Sequence, residues 1–131
     1  MKDLKMQMVL TPLHSAALNG CLDLCILLNE NLNYKNQGDH GGNTPLHWAA
    51  MGGHLYVYKY ISGYLVNKNP RNSRGTTPLH KAAAFGYLDL VEEIFESVTN
   101  KNPKDNKGDT PLHMAAKAGD FQVFIYLTDN I

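Results

Sequence analysis

The chain has 131 residues, of which 44% are hydrophobic and 18% are charged. These values fit one folded domain and exclude a largely disordered chain. Twelve basic and twelve acidic side chains cancel, and a neutral chain argues against nucleic-acid binding, which usually requires a basic excess.

The chain has two cysteines, Cys21 and Cys25, four positions apart. This spacing puts them on neighbouring turns of one predicted helix, where a disulfide would constrain almost nothing. We therefore expect a reducing, intracellular setting. The longest uncharged stretch, residues 6–22, contains Pro12, His14 and Asn19 and predicts no membrane span.

The tetrapeptide Thr-Pro-Leu-His organises the chain, because it recurs every 33 residues. A fixed period of about 20–50 residues indicates a solenoid of stacked units. Each Thr is a predicted helix N-cap, and the Pro after it suits the first helical position. The four copies begin at Thr11, Thr44, Thr77 and Thr110.

Two helices are predicted in each unit. The first contains an Ala pair, such as Ala16-Ala17, which lets neighbouring helices approach closely, and it ends at a recurring glycine that suits the left-handed conformation. The second has apolar residues at helical spacing, such as Leu22 and Leu28. Clusters of Asn, Gly and Asp, such as residues 39–43, link one unit to the next.

These motifs resemble the ankyrin repeat from about Thr11 to Leu127. The resemblance implies an all-α solenoid of helix–turn–helix units joined by β-hairpin fingers. We expect a single domain over residues 1–131, with repeats at about 1–38, 39–71, 72–104 and 105–131. The first repeat is atypical because residues 6–10 replace its finger, and the last is truncated. Since Leu32, Leu65 and Val98 occupy a column that is glycine in the family, we expect a different end to the second helix.

The resemblance assigns a structural role to the motif histidines. Each is expected to bond to its Thr and to turn backbone, tying the finger to the helix. Successive copies stand about 10 Å apart, too far to share a zinc ion. Cys21, Cys25 and His54 have no evident fourth ligand, so we predict no metal site. Because the sequence contains nothing that resembles a nucleophile elbow, a phosphate loop or a metalloprotease helix, we also predict no cofactor and no enzyme activity. The four pairs are Thr11 with His14, Thr44 with His47, Thr77 with His80 and Thr110 with His113.

Ankyrin repeats bind partners through the fingertips and the exposed side of the first helix. The resemblance therefore predicts a protein–protein interaction module that binds a protein or peptide through a concave face and its fingertips. Large side chains such as Trp48 and Phe85 are candidate anchors, although Trp48 could instead cover the junction between repeats. The candidate partner-binding residues are His40, Asn43, Trp48, Met51, Arg74, Lys81, Phe85, Lys107, Met114 and Lys117.

Cations also recur every 33 residues, as in Lys68 and Lys101, Arg71 and Lys104, and Arg74 and Lys107. This ladder is either a solvated edge or a surface that steers an acidic partner. It is also the basis for a nucleic-acid alternative, against which the neutral net charge argues.

Two further features leave alternatives open. The helix predicted at Phe121–Leu127 is apolar on nearly every side, which fits either an architectural piece of a longer array or a surface for self-association. In the family, an Asn between repeats can be hydroxylated when Leu precedes it by eight positions. Asn36 has Leu28 there, and the alternative is that Asn36 only stabilises a turn.

Overall fold

The computed structural model describes residues 11–32 and 37–131, without the side chains at positions 31 and 32. Four helix pairs fill these ranges, and the first helix of each pair is called inner and the second outer. None of the described helices is long and apolar enough to cross a membrane. The helices are α1 Pro12–Asn19, α2 Leu22–Leu32, α3 Pro45–Gly52, α4 Leu55–Ser62, α5 Pro78–Phe85, α6 Leu88–Ser97, α7 Pro111–Ala118 and α8 Phe121–Asn130.

Each inner helix begins at the repeated threonine. The Thr has an extended backbone, and its hydroxyl accepts a hydrogen bond from the backbone N–H of the His three residues later. The His side chain in turn accepts from the Thr backbone N–H, which closes a capping box. The Pro at the first helical position has no N–H that would need a partner. The motif alone therefore determines where these helices start.

Each inner helix ends at a glycine with φ between 73° and 76°. Gly53 shows why no larger residue fits, since a Cβ atom there would lie 2.7 Å from the ring of Tyr87. The turn at this glycine reverses the chain, and the outer helix packs against its inner helix.

The core lies between the two helices of each pair and between neighbouring pairs. The alanine pairs of the first three inner helices are almost completely buried, so the backbones of adjacent inner helices come close together. The motif leucines Leu13, Leu46 and Leu79 are fully buried, as are Tyr58 and Ile61 of α4. Small and large residues therefore alternate along a single continuous core.

The fingers differ from the sequence expectation. No β-strand is formed in the part of the chain that the structure describes, so the links between pairs are tight turns and not β-hairpins. In the first finger, residues 39–43, the Asp39 N–H donates to the Asn43 oxygen and the Gly42 N–H donates to the Asp39 oxygen. These are the two backbone–backbone bonds within the finger, and the second finger, 72–76, and the third, 105–109, repeat them.

Helices α4 and α6 end without a left-handed glycine. Helix α4 stops at Ser62, and α6 stops at Ser97, after which Val98 is extended with φ −109°. Lysine side chains donate to carbonyl groups at the C-terminal ends of both helices. Lys68 Nζ donates to the oxygens of Ser62, at 2.5 Å, and Leu65, at 3.0 Å. Lys101 Nζ donates in the same way to the oxygens of Phe95 and Val98.

Candidate partner-binding surface

One side chain organises each finger. Asp39 Oδ1 accepts hydrogen bonds from the N–H groups of Gly41 and Asn43, both at 2.9 Å. Asn72 and Asp105 accept the equivalent pairs of bonds in the second and third fingers. The shape of each fingertip is therefore determined within the finger itself.

The fingers are also bonded to one another. The Ser73 N–H donates to the Gly41 oxygen and the Asn106 N–H donates to the Arg74 oxygen, both at 2.9 Å. The Asn72 amide donates to Asn43 Oδ1 at 2.8 Å. Asn43, a predicted partner-binding residue, thus joins two fingers and is only half exposed. The three fingers form one row.

The motif histidines connect each inner helix to the following finger. His Nε2 lies 2.8–2.9 Å from a carbonyl oxygen of that finger, in the pairs His14 with Asn43, His47 with Thr76 and His80 with Asp109. Because Nδ1 accepts from the Thr N–H, Nε2 must carry the proton and the ring is neutral. The predicted link to turn backbone thus reaches into the next unit.

Burial keeps these rings neutral. It lowers the pKa of His47 to about 4, against the smaller opposing effect of the bond to the Thr76 carbonyl. Burial also lowers the pKa of His14 and His80. His113 makes the same contacts with Thr110, but it is exposed, since no described finger lies beyond it.

The tips of the second and third fingers and helix α7 enclose a groove of about 530 Å³. Four predicted partner-binding residues line it: Arg74, Lys107, Met114 and Lys117. Lys117 Nζ forms an ion pair with Asp109 Oδ2 at 2.7 Å. The groove also contains Asp105 and Asp109, which follow the finger pattern but lie outside the predicted partner-binding set.

Lys81 adds positive charge on α5. It is half-buried, and burial lowers its pKa, with a further contribution from the charge of Arg74. Asp39 opposes that shift. A lysine held between these two charges extends the positive region from the fingertips towards the inner helices.

Trp48 lies apart from the groove, between the first finger and α1. Its Nε1–H donates to Asp39 Oδ2 at 3.0 Å, and its ring meets His14 edge-on with centroids 6.3 Å apart. Trp48 and Met51 are both half-buried, whereas His40 is exposed at the tip of the first finger. The contacts of Trp48 match a residue that covers the junction between repeats, and part of its surface remains accessible.

Phe85 is the most accessible of the predicted anchors, with 54% of its surface exposed. Its ring stacks on Tyr87 at a centroid distance of 6.2 Å. Sequence reasoning did not include Tyr87 in the site. Its position directly after the turn glycine could have indicated that Tyr87 belongs to the site, because this position places the ring beside the end of the inner helix.

Half of the cation ladder has a structural role that neither interpretation of the sequence included. Lys68 and Lys101 bind helix ends, as described above. Arg71 donates to the Lys104 oxygen at 2.5 Å and to Asn106 Oδ1 at 3.1 Å, so it braces the third finger. Arg71 is exposed as well, whereas Lys104 and the fingertip pair of Arg74 and Lys107 are exposed and form no such side-chain bonds in the described structure.

The predicted hydroxylation site, Asn36, lies outside the described residues. Its equivalent one repeat later, Asn69, accepts a hydrogen bond from the Leu79 N–H at 3.1 Å and so supports the start of α5. Cys21 is exposed and Cys25 is buried, and neither is in a disulfide. Over residues 11–32 and 37–131, no group of three His, Cys, Asp or Glu side chains could hold a metal ion.

A family model described as ankyrin repeats (3 copies) matches residues 2–72 and, in a second match, residues 59–131. The chain belongs to the ankyrin repeat family. The two matches overlap and together reach beyond three units, in agreement with four helix pairs. A search of curated proteins found no match. Ankyrin repeats generally serve as protein–protein interaction modules and are typically not enzymes.

Proposed function

We propose that this ankyrin array binds an acidic segment of a partner protein in the groove between the second and third fingers. The observation that carries this proposal is the pair Arg74 and Lys107. Both side chains are exposed beside Met114, and neither forms an ion pair within the described residues. Met114 provides one apolar contact beside these unpaired cations, which suits a peptide that carries carboxylates around an apolar anchor.

The distribution of charge supports the same partner. Outside the outer helices, the described part of the chain carries eight cations and four anions. The outer helices carry one cation and seven anions. A chain that is neutral overall therefore has a positive finger side, which attracts an acidic partner during encounter. The eight cations are Lys68, Arg71, Arg74, Lys81, Lys101, Lys104, Lys107 and Lys117.

A peptide panel tests the proposal. Labelled peptides of equal length, rich in Glu and Leu, in Ser and Leu, or in Lys and Leu, are titrated with the protein and followed by fluorescence anisotropy. We expect the acidic peptide to bind best and the double change Arg74→Gln with Lys107→Gln to weaken it at least about tenfold. The matched control, Lys59→Gln with Lys104→Gln, changes the net charge equally and should leave binding nearly unchanged.

Two results would contradict the proposal: equal weakening by both double variants, or no preference among the peptides. A labelled oligonucleotide that bound more tightly than the acidic peptide, with a steep loss of affinity in salt, would favour the nucleic-acid alternative.

The inner helices offer a second contact for the same partner. Because Phe85 is largely exposed, Phe85→Ala should weaken partner binding by more than about 1 kcal/mol while the free energy of unfolding stays nearly constant. Trp48 is expected to behave differently, since Trp48→Phe removes the bond to Asp39 and should lower stability as well. Urea unfolding of both variants, measured beside peptide binding, separates an anchor from a junction cover. We also propose that His40, Asn43, Met51 and Lys81 contact the partner.

We propose that residues 1–131 form one domain with repeats near 1–38, 39–71, 72–104 and 105–131. We also propose an intracellular setting, which the free thiols of Cys21 and Cys25 support.

A further inference from the structure

A second groove lies between the outer helices α6 and α8, away from the fingers. Its volume is about 340 Å³, and Leu88, Phe121, Ile125 and Tyr126 form its apolar floor. The ring of Tyr126 meets Phe95 edge-on at a centroid distance of 5.5 Å, which packs Tyr126 against α6. This groove does not overlap the surface proposed above for the acidic partner.

The fold does not use the exposed apolar residues of this groove. Val123 and Leu127 are fully buried and attach α8 to the core, whereas Phe121 is 75% exposed and Ile125 is 39% exposed. Phe121 and Ile125 are four positions apart, so their side chains lie on one face of α8. Two large apolar side chains on one exposed face, beside a preformed groove, form a contiguous apolar patch of the kind that marks contact sites.

Carboxylates border the apolar floor. Glu92 of α6 and Asp129 of α8 line the groove, and Glu96 follows Glu92 by one turn. In the described part of the chain, none of the three forms an ion pair. Burial, and then the charges of Glu96 and Glu92, raise the pKa of Tyr126, so both carboxylates act on the ring in the floor.

This combination limits the occupant. A symmetric pair of identical chains would bring each acidic border against its copy, and like charges across an interface oppose binding. Phosphate-bearing surfaces, such as nucleic acids and anionic lipids, are repelled for the same reason. A cationic partner gains from both the floor and the border. The lining runs from Leu88 to Glu92 on α6 and from Phe121 to Asn130 on α8. The α8 side is roughly 15 Å long, which is enough for two turns of a docked helix.

We propose that the groove between α6 and α8 binds a basic amphipathic helix of a partner protein. Apolar side chains at positions i and i+4 of that helix contact Phe121 and Ile125. Its lysine or arginine side chains face Glu92, Glu96 and Asp129. The site thus differs from the finger-side groove in both location and charge, and one array can hold two partners of opposite charge.

A designed peptide pair tests this proposal. The probe is a labelled 14-residue peptide of Leu and Lys with its leucines on one helical face, and the comparison peptide has the same composition in scrambled order. In anisotropy titrations, we expect the amphipathic peptide to bind and Phe121→Ala to weaken it at least about tenfold. The change Glu92→Gln with Asp129→Asn should weaken it several-fold and reduce its dependence on salt.

Matched controls separate this site from general attraction to an acidic surface. The change Asp23→Asn with Glu30→Gln removes the same charge from α2 and should leave binding unchanged, as should Phe85→Ala. Circular dichroism melting should show the wild-type transition for Phe121→Ala, because that side chain is mostly exposed. Amide chemical shifts, assigned by NMR, should change at residues 88–96 and 121–130.

Three results would overturn the proposal. The first is equal binding of the scrambled peptide, and the second is equal weakening by the control variants. The third comes from light scattering after size-exclusion chromatography. A dimer that Phe121→Ala converts to monomer would assign the groove between α6 and α8 to a second copy of the chain, in line with the predicted self-association through Phe121–Leu127. The arginine and lysine variants of the fingertips do not affect these readouts, so failure here leaves the finger-side proposal standing.

Discussion

At the scale of the residue, the motif histidine performs two tasks with its two nitrogens. Nδ1 accepts from the backbone of its own helix cap, and Nε2 donates to the finger of the next unit. A buried ring with both nitrogens bonded resists replacement, because each lost bond leaves a buried backbone group without a partner. The four histidines share a motif but not an environment, and this difference makes a controlled experiment possible.

We expect His47→Ala to lower the free energy of unfolding by roughly 2–5 kcal/mol, the range for a buried side chain lost together with its hydrogen bonds. His113→Ala removes the same group from an exposed site with the same Thr contact. It should therefore cost only about 1 kcal/mol. Urea unfolding followed by circular dichroism measures both, and similar losses for the two variants would show that the bond to the next finger contributes little.

The repeated residues could be predicted from the sequence, since Thr, Pro and Gly act on the backbone next to them. Contacts between residues that do not recur could not be predicted. Trp48 bonds to Asp39 nine positions earlier, and no other repeat has a tryptophan that would reveal this pair. Its position in the repeat was compatible with a partner-binding anchor and with a residue that covers the junction between repeats, and the sequence alone could not distinguish the two.

At the scale of the element, the outer helices show how lysine can replace a terminal glycine. Lys68 and Lys101 return to their own helix ends and satisfy carbonyl groups that the helix leaves unbonded. A positive charge at a helix C-terminus also interacts favourably with the helix dipole. Their spacing of 33 residues was visible in the sequence, but a period does not show where a flexible side chain points.

We expect Lys101→Met to destabilise the protein by roughly 1–2 kcal/mol, because it removes the donor but keeps the apolar stem near Phe95. Lys101 Nζ also lies 4.8 Å from the centre of the Phe95 ring. The control is Lys104→Met, an exposed neighbour whose side chain has no such bonds in the described structure. Thermal unfolding should separate the two, and an unchanged melting temperature for Lys101→Met would argue against the capping role.

The fingers illustrate the limit of inference from a family. The resemblance implied β-hairpins, yet each finger closes after five residues with two backbone bonds. The turns themselves could be predicted from the sequence, since Asp39 and Gly42 are typical of tight turns. The absence of strands from the described fingers follows from their length, because so few residues cannot extend a ladder between two strands.

At the scale of the whole molecule, every junction between described units depends on a histidine that must stay neutral. His14, His47 and His80 each accept a backbone N–H at Nδ1, a position that an added proton would occupy. The burial of these rings arises only when the units stack, so the sequence of one repeat could not reveal it. Protonation therefore acts on the coupling between units and on the row of fingers together.

The array should lose stability as the pH falls below about 6.5. An unfolded histidine binds a proton near that pH, whereas burial holds the pKa of His47 at about 4 in the folded state. Between the two values the unfolded state binds more protons, so the free energy of unfolding decreases with decreasing pH. His47 alone should account for about 2 kcal/mol between pH 7 and pH 5, and His14 and His80 add to it in the same direction.

Urea unfolding at pH 7, 6 and 5 measures the slope while most carboxylates remain ionised. His47→Gln keeps an acceptor and a donor but cannot titrate, so its slope should be shallower. A wild-type stability that stays constant from pH 7 to pH 5 would mean that the folded protein accommodates charged histidines at the junctions, and the row of fingers would then not depend on their neutrality.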